Sequence, residues 1–381
     1  MKFQADRTTL IRALAHIQSV AEKRNTIPIL ANVMLSIEGN LLRLTATDME
    51  IAVVEEVAAE GARDGAVTAP ASVLYEIVRK LADGSMVELD HGGGDAPLAL
   101  RAGRYATSLN VLPVEDFPSM VAGDLPCEFS IPAAVLRGLV DRTRFAVSTE
   151  ETRYYLNGIY FHVAKDGDAP KLRAVATDGH RLARVETDLP AGAGEMPGVI
   201  IPRKTVAELR KLLDEGAGAV QVSLSETRIQ FRVGAVMLTS KLIDGTFPEY
   251  ERVIPKNNDR FLRVNKQAFA DAVARVAAIS QERSRPVKLA VQTNLLTLSA
   301  ISPDQAWPRK SWTRPACPMM ARRSKSAFRP VISTTLPIRS MSRQSSHSPI
   351  VRRRRSFATP ICRQHSMCSC RCASECRERR A

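Results

Sequence analysis

The first 305 residues contain one cysteine, Cys127, and no tryptophan, and aromatic residues make up only 5% of the whole chain. A single thiol excludes a disulfide framework and suits a reducing compartment, so a cytoplasmic location is expected. No apolar run approaches the roughly 18 residues needed to span a bilayer. The opening "MKFQADRTTLIRAL" lacks the uncharged stretch of a secretory signal, so no membrane partner is expected. Sequences that would carry chemistry are also missing: there is no G-x-S-x-G, no H-E-x-x-H and no phosphate-binding glycine loop. Asp178 and His180 sit close together, but a hydrolytic triad also needs a nucleophile on a positioned turn. The expectation is therefore a non-enzyme without cofactor or metal.

Acids almost vanish after Gln305. Eighteen of the 54 lysines and arginines lie in 306–381, opposed only by Glu375 and Glu378, so this tail carries about +16 and the preceding body about −2. The sequence pI near 9.7 thus belongs to the tail, and a whole-chain inference of nucleic-acid binding from it would be unsafe. Both tryptophans, Trp307 and Trp312, and six cysteines, Cys317, Cys362, Cys368, Cys370, Cys372 and Cys376, also fall there.

What the body does have is repetition. "KFQADRTTLIRALAHIQSVAEK" from Lys2, "EFSIPAAVLRGLVDRTRFAVST" from Glu128 and "RFLRVNKQAFADAVARVAAISQ" from Arg260 each read as a strand followed by an amphipathic helix. Their apolar stripes are Leu10, Leu14, Ile17; Val135, Leu139, Val140; and Phe269, Val273, Val276. Further pairs recur in order. "LLRLTATDMEIAV" (41–53) matches "KLRAVATDGHRLA" (171–183), a strand ending in a Thr-Asp turn. "VTAPASVLYEIVRKL" (67–81) matches "VIIPRKTVAELRKLL" (199–213), a strand, a proline and a second helix. "YATSLNVLPVEDFPSM" (105–120) matches "MLTSKLIDGTFPEYERV" (237–253). The order predicts α+β repeats, each with two helices packed on antiparallel sheet. Domains are expected at 1–124 and 125–253. A third, 254–305, stops after "VKLAVQTNLLTLSAISPDQ", and 306–381 follows as a tail without an evolved core.

The helical stretches 7–24, 72–81, 132–144, 203–213 and 265–283 hold 16 lysines and arginines against six acids. A basic helical layer on an otherwise acidic body can attract a phosphate backbone, although ordinary solvated helix faces explain the same count about equally well. Any such contact would be to backbone and independent of sequence.

The motifs "RNTIPILANV" (24–33), "TRYYLNGIYF" (152–161), "VATDGHRLARVETDLP" (175–190), "VIIPRKTVAEL" (199–209) and "TSKLIDGTFPEYERVIPKNN" (239–258) resemble the bacterial DNA polymerase III β subunit, or sliding clamp, family over about residues 1–305. The resemblance implies a head-to-tail homodimer of three-domain subunits. Six repeats would form a ring around duplex DNA, with twelve helices lining the hole. It implies a processivity factor whose partners are double-stranded DNA, the polymerase III catalytic subunit, the clamp loader and other clamp-motif proteins. By motif, the partner-peptide groove falls on Leu156, Thr177, Gly179, His180, Arg181, Leu182, Pro248, Arg252 and Val253. DNA contact falls on Arg24, Glu150, Tyr154, Tyr155, Arg203 and Lys204. Ala278 and Ile279 stand at the subunit contact. Glu150 and Ser72 occupy positions where the family pattern has Gln and Arg, and an acid at 150 weakens phosphate contact there.

Three readings of the tail compete. "VRRRRS" (351–356) suits a nucleic-acid-binding arm, which makes a non-ring binding protein the alternative function. Cys368, Cys370, Cys372, Cys376 and His365 suggest zinc, but the C-x-C-x-C-x3-C spacing lacks paired knuckles. The third reading is a frameshift. Ala306–Trp312 can be encoded so that one added G regroups it into Gly-Leu-Ala-Thr-Glu-Glu-Leu. Gln364–Glu375, shifted alike, ends Met-Pro-Met-Arg-Val and a stop, resembling the family's C-terminus. Codon choice is free, so one such hit weighs little; two in one frame weigh more. Lacking its second helix and closing strands, the third repeat is expected to be poorly ordered and the chain mainly monomeric.

Overall fold

The computed structural model describes residues 1–21, 27–120, 123–165, 169–215, 218–255, 262–278, 287–292 and 295–300. By contact they divide into two units, Met1–Glu249 and a second from Tyr250 onward.

In the first unit, β1 (Lys2–Asp6) runs into α1 (Arg7–Ile17) through Asp6, whose carboxylate accepts the amides of Thr8 and Thr9 at 2.8 and 3.2 Å. There follow β2 (Asn32–Glu38), β3 (Leu41–Thr47), β4 (Ile51–Ala58), β5 (Glu60–Arg63), β6 (Gly65–Pro70), α2 (Ala71–Lys80), β7 (Met86–Asp90), β8 (Leu98–Ala102) and β9 (Tyr105–Leu109). The second repeat supplies β10 (Cys127–Pro132), α3 (Ala133–Thr143), β11 (Gly158–Ala164), β12 (Lys171–Thr177), β13 (Leu182–Asp188), β14 (Val199–Pro202), α4 (Arg203–Glu215), β15 (Ala219–Leu224), β16 (Arg228–Val233) and β17 (Val236–Lys241). Apart from β5, the order is the same. Pro70, Pro132 and Pro202 stand just before α2, α3 and α4, where a missing N–H costs nothing.

The helices pair within each repeat, α1 with α2 and α3 with α4. They bury the stripes read from sequence: Leu10, Leu14 and Ile17 are fully covered, as are Leu139 and Val140, with Leu136 beside them and Val135 at the margin. The strands form three antiparallel sheets, ordered β5-β1-β7-β8-β9, β10-β15-β16-β17-β4-β3-β2-β6 and β13-β12-β11-β14. The middle sheet joins the repeats, because β17 pairs with β4 in the register Val236↔Glu55 to Ser240↔Ile51. One apolar core therefore runs through both repeats. Polar links cross the same seam: Lys241 with Glu50 at 3.0 Å, Ser19 Oγ donating to Glu208 at 2.6 Å, and Lys204 with Asp48.

Aligning the two final segments on their Phe-Pro pairs sets Tyr105 against Ala235. The structure instead sets Tyr105 against Val236. Both hairpins turn on a glycine with positive φ, Gly103 (58°) and Gly234 (60°), and the strands align from those turns. The extra residue of the first repeat lies between Leu112 and Phe117, beyond the strand.

The second unit contains α5 (Lys266–Ala277), capped by Asn265 on the Ala268 amide at 3.0 Å, and the hairpin β18 (Lys288–Gln292) with β19 (Leu295–Ser299). α5 holds no buried residue and β18 is exposed throughout. The stripe Phe269, Val273, Val276 is only half-covered, in contrast to the buried stripe expected from its spacing. Among the described residues only the two strands of this hairpin stand beside α5, too few to close over a helix face.

Candidate partner groove and DNA-facing residues

The Thr-Asp dipeptides build the same turn twice. Thr47 Oγ1 donates to the Ile51 carbonyl at 2.8 Å and accepts the Met49 amide at 3.0 Å, while Asp48 accepts the amides of Glu50 and Ile51 at 2.8 and 2.6 Å. Thr177 does the same with Arg181 (2.8 Å) and Gly179 (3.1 Å), and Asp178 takes the amides of His180 and Arg181 at 2.9 Å each. The turn forces positive φ at its third residue, 75° at Met49 and 88° at Gly179. Only glycine takes that conformation without a steric penalty.

The two copies differ in their surroundings. Asp48 is consumed by Lys204 in the seam. Asp178, holding its turn in the same way, instead takes the Arg181 guanidinium at 2.9 Å on its second oxygen. The Arg181 amide, followed by the His180 amide and the Arg181 side chain, brings the Asp178 pKa down to about 2, from an ordinary value of 3.8. A depressed carboxylate stabilises the fold above its unfolded pKa and loses that contribution as pH falls through the folded one. The 177–181 turn should therefore stay formed at pH 4 and open toward pH 2. The His180 and Arg181 amide resonances report this, and Asp178→Asn should abolish the transition in that window.

Against this turn lies the 145–156 segment. Arg181 sits over the Phe145 ring, 5.6 Å from its centroid. Arg153 pairs with Glu150 at 3.0 Å, and its guanidinium reaches to within 2.8 Å of where a Gly179 side chain would begin. Leu156 is buried, its carbonyl accepting the Ser148 amide at 3.0 Å. Tyr154 and Tyr155 meet edge to face at 5.8 Å and pack on Gly245; two residues on, Phe247 stacks on Tyr160 at 4.8 Å and leaves Pro248 exposed. Leu156, Thr177, Gly179, His180, Arg181, Leu182 and Pro248 are thus drawn around one segment. His180 and Arg181 are exposed and Leu182 is half-buried. Arg252 and Val253 belong to the second unit, where Val253 is exposed.

Gly179→Ala tests the tight approach. Positive φ and a contact of 2.8 Å to Arg153 predict a loss of about 1–2 kcal/mol by urea titration. Met49→Gly, relieving the same φ, should be neutral or mildly stabilising.

The residues read as DNA-facing do not form a separate patch. Glu150, Tyr154 and Tyr155 share the segment that carries Leu156. Asn157 ties that segment to α4, its amide donating to the Tyr154 carbonyl and its carbonyl accepting the Arg203 amide, both at 2.9 Å. Arg203 is exposed at the start of α4, whereas Lys204 is engaged by Asp48. Arg24 and Ile279 lie outside the described residues; Ala278 is exposed at the end of α5.

The basic helical layer is thinner than its count. α1 ends at Ile17, and Lys23 and Arg24, counted with it, lie outside the described residues. Arg7 caps the last carbonyls of α2, from Val78 and Arg79, and pairs with Asp83. Arg137, Arg144 and Arg210 share Asp141, and Arg137 and Arg210 also reach Asp214. Sequence reasoning missed Phe145 and Arg153 as part of the site; Arg153 lay within the quoted "TRYYLNG", but its approach to Gly179 is tertiary.

Two complete α+β repeats sharing a sheet, with a third repeat begun, define a clamp-type architecture. Comparison with known proteins agrees along the chain. Family models match the N-terminal domain of the DNA polymerase III beta subunit at 1–121, its central domain at 130–249 and its C-terminal domain at 251–308. The beta sliding clamp of Caulobacter vibrioides is 50% identical over 299 residues, 78% of this chain and 80% of the relative. That of Escherichia coli K12 is 38% identical over 308 residues, 80% and 82%. Among solved structures, the C. crescentus beta sliding clamp superposes with a TM-score of 0.78 at 50% identity, covering 80% of this chain and 81% of that one. A Bartonella birtlesii sliding clamp bound to griselimycin gives 0.75 at 49%, covering 78% and 80%. The chain belongs to the DNA polymerase III β subunit family. It is a DNA sliding clamp, a non-catalytic accessory factor whose partners are DNA and clamp-binding proteins such as the polymerase. A protein acting through its basic tail alone is not favoured, since these matches lie in the body. No helix among the described residues is long and apolar enough to cross a membrane.

Proposed function

We propose that partners dock at the groove around Leu156, Thr177, Gly179, His180, Arg181, Leu182 and Pro248; Arg252 and Val253, the remaining groove positions by motif, lie in the second unit. The observation that carries this is the asymmetry of the duplicated turn. Both aspartates organise their turns, but in the first repeat the second oxygen of Asp48 is tied into the seam by Lys204 and Ile51 is buried, whereas in the second that oxygen of Asp178 pairs with Arg181, which is exposed at the position of Ile51. A mostly apolar slot with a few polar orienters suits a short linear peptide. The griselimycin-bound clamp of B. birtlesii is one relative that takes a ligand. His180→Ala and Leu182→Ala should each weaken a polymerase-derived peptide several-fold in calorimetry while leaving the thermal midpoint within about 2 °C. Unchanged affinity in both would move the groove elsewhere.

DNA contact is proposed at Arg203, Tyr154 and Tyr155, with Arg24; Lys204 and Glu150, each in an ion pair, contribute less. The expected binding is to backbone and salt-dependent. The domains are proposed at 1–124, 125–253 and 254–305, in a cytoplasmic protein served by a clamp loader. The complete form is a head-to-tail homodimer with Ala278 and Ile279 at the subunit contact. In this chain that contact lacks the rest of its third repeat. Residues 306–381 are proposed to be the continuation of the same gene read one base out of frame.

A further inference from the structure

Two sheet edges stand open among the described residues. β9 ends the five-stranded sheet and β13 ends the four-stranded one. Their repeat counterparts are not edges: β17 corresponds to β9 and β4 to β13, and β17 and β4 pair with each other. The β3–β4 and β12–β13 registers fix the second correspondence, because Thr47↔Ala52 matches Thr177↔Leu182. The glycine turns fix the first. By the same logic the strand that would cover β13 is the last strand of the third repeat, which lies past Gln305, where the repeat pattern has ended.

We propose that the β9 edge of one copy of this chain pairs antiparallel with the β13 edge of a second copy, in the register that β17 and β4 use within the chain. Exposure supports it. β17 is buried along most of its length, whereas Tyr105, Ala106 and Ser108 of β9 are exposed, Tyr105 to 42%. Transferring the register sets Tyr105 against Val185, Ala106 against Arg184 and Arg104 against Glu186. The first is an aromatic on a β-branched residue, and the last is an opposite-charge pair; both favour cross-strand pairing. Main-chain hydrogen bonds across the new ladder supply the remaining affinity, as in other strand additions. The contact is heterologous, because each copy gives one edge and receives at the other, so it propagates head to tail. A chain expected to be mainly monomeric thus becomes one that associates with concentration, without using Ala278 or Ile279. The contact rests on the repeat geometry and goes beyond the clamp reading, which stands if it fails.

Full-length 1–381, freed of nucleic acid, is measured by sedimentation velocity over a concentration series. The parent should rise above monomer mass with concentration. Ala106→Arg places like charges opposite each other and should weaken association about five-fold, a change of about 1 kcal/mol. Ala106→Glu should strengthen it, and Arg184→Glu added to Ala106→Arg should restore it. Both positions are exposed, so circular dichroism should be unchanged. A parent that stays monomeric throughout overturns the proposal. So does association indifferent to positions 106 and 184 but lost on Ala278→Arg, which would assign it to the third repeat.

Discussion

Phe231→Ala should lower stability by about 3–5 kcal/mol and the thermal midpoint by roughly 10 °C. Phe231 is 1% exposed on β16, opposite Val222 on one neighbouring strand and Leu238 on the other. It also lines a wholly apolar cavity of about 10 Å³, at most one water, so nothing polar is at hand to fill the added void. Because β16 stands one strand from the seam and the core is continuous, the loss should appear as one transition spanning both repeats, not as melting of the second alone. Phe231→Leu, a nearer match in volume, should cost about 1 kcal/mol. A drop under 3 °C for the alanine variant, or two resolved transitions, would contradict a shared core.

The second large effect concerns the reading frame. Adding one base after codon 305 should turn a chain that self-associates weakly into a stable dimer that supports processive synthesis. The physical reason lies in α5. Its apolar stripe is half-covered, β18 is exposed and β19 half-buried, which fits the proposal that the second helix and remaining strands of the repeat are encoded out of frame. Restoring those elements would bury the stripe and fill the β13 edge from within the same chain. Dimerisation should then become independent of Arg184, the opposite of the behaviour expected of 1–381. Light scattering and a primer-extension assay read the two outcomes. Equal mass and equal product length before and after the insertion would remove the frameshift reading.

Much of this was legible in the sequence because it is local. The apolar stripes of α1 and α3 follow from helical spacing. The prolines at 70, 132 and 202 mark helix starts, and the Thr-Asp turn can be read from its side-chain acceptors. What was not legible depends on contacts between distant segments. The pairing of β17 with β4 joins residues some 180 positions apart, and no periodicity announces it. The engagement of Lys204 by Asp48, and of Arg210 by Asp141 and Asp214, turned residues counted as available positive charge into internal bridges. The strand β5 has no counterpart in the second repeat and carried no signal of its own. The one-residue offset between the final segments was hidden because Phe-Pro is conspicuous in text, while the turns at Gly103 and Gly234 set the strands. In the groove, the motif pointed to the 177–182 turn, but Phe145 and Arg153 entered through tertiary contacts alone.

The central claim is that this body is that of a clamp holding DNA by topology, broken at its third repeat. The most direct test loads the frame-restored protein onto a nicked circular duplex with the clamp loader and ATP, then isolates the DNA by gel filtration in about 0.2 M salt. The account predicts that protein stays with the circle and is lost once a single cut makes it linear, whereas 1–381 as written is retained on neither. Equal retention of the frame-restored protein on circular and linear DNA would contradict it.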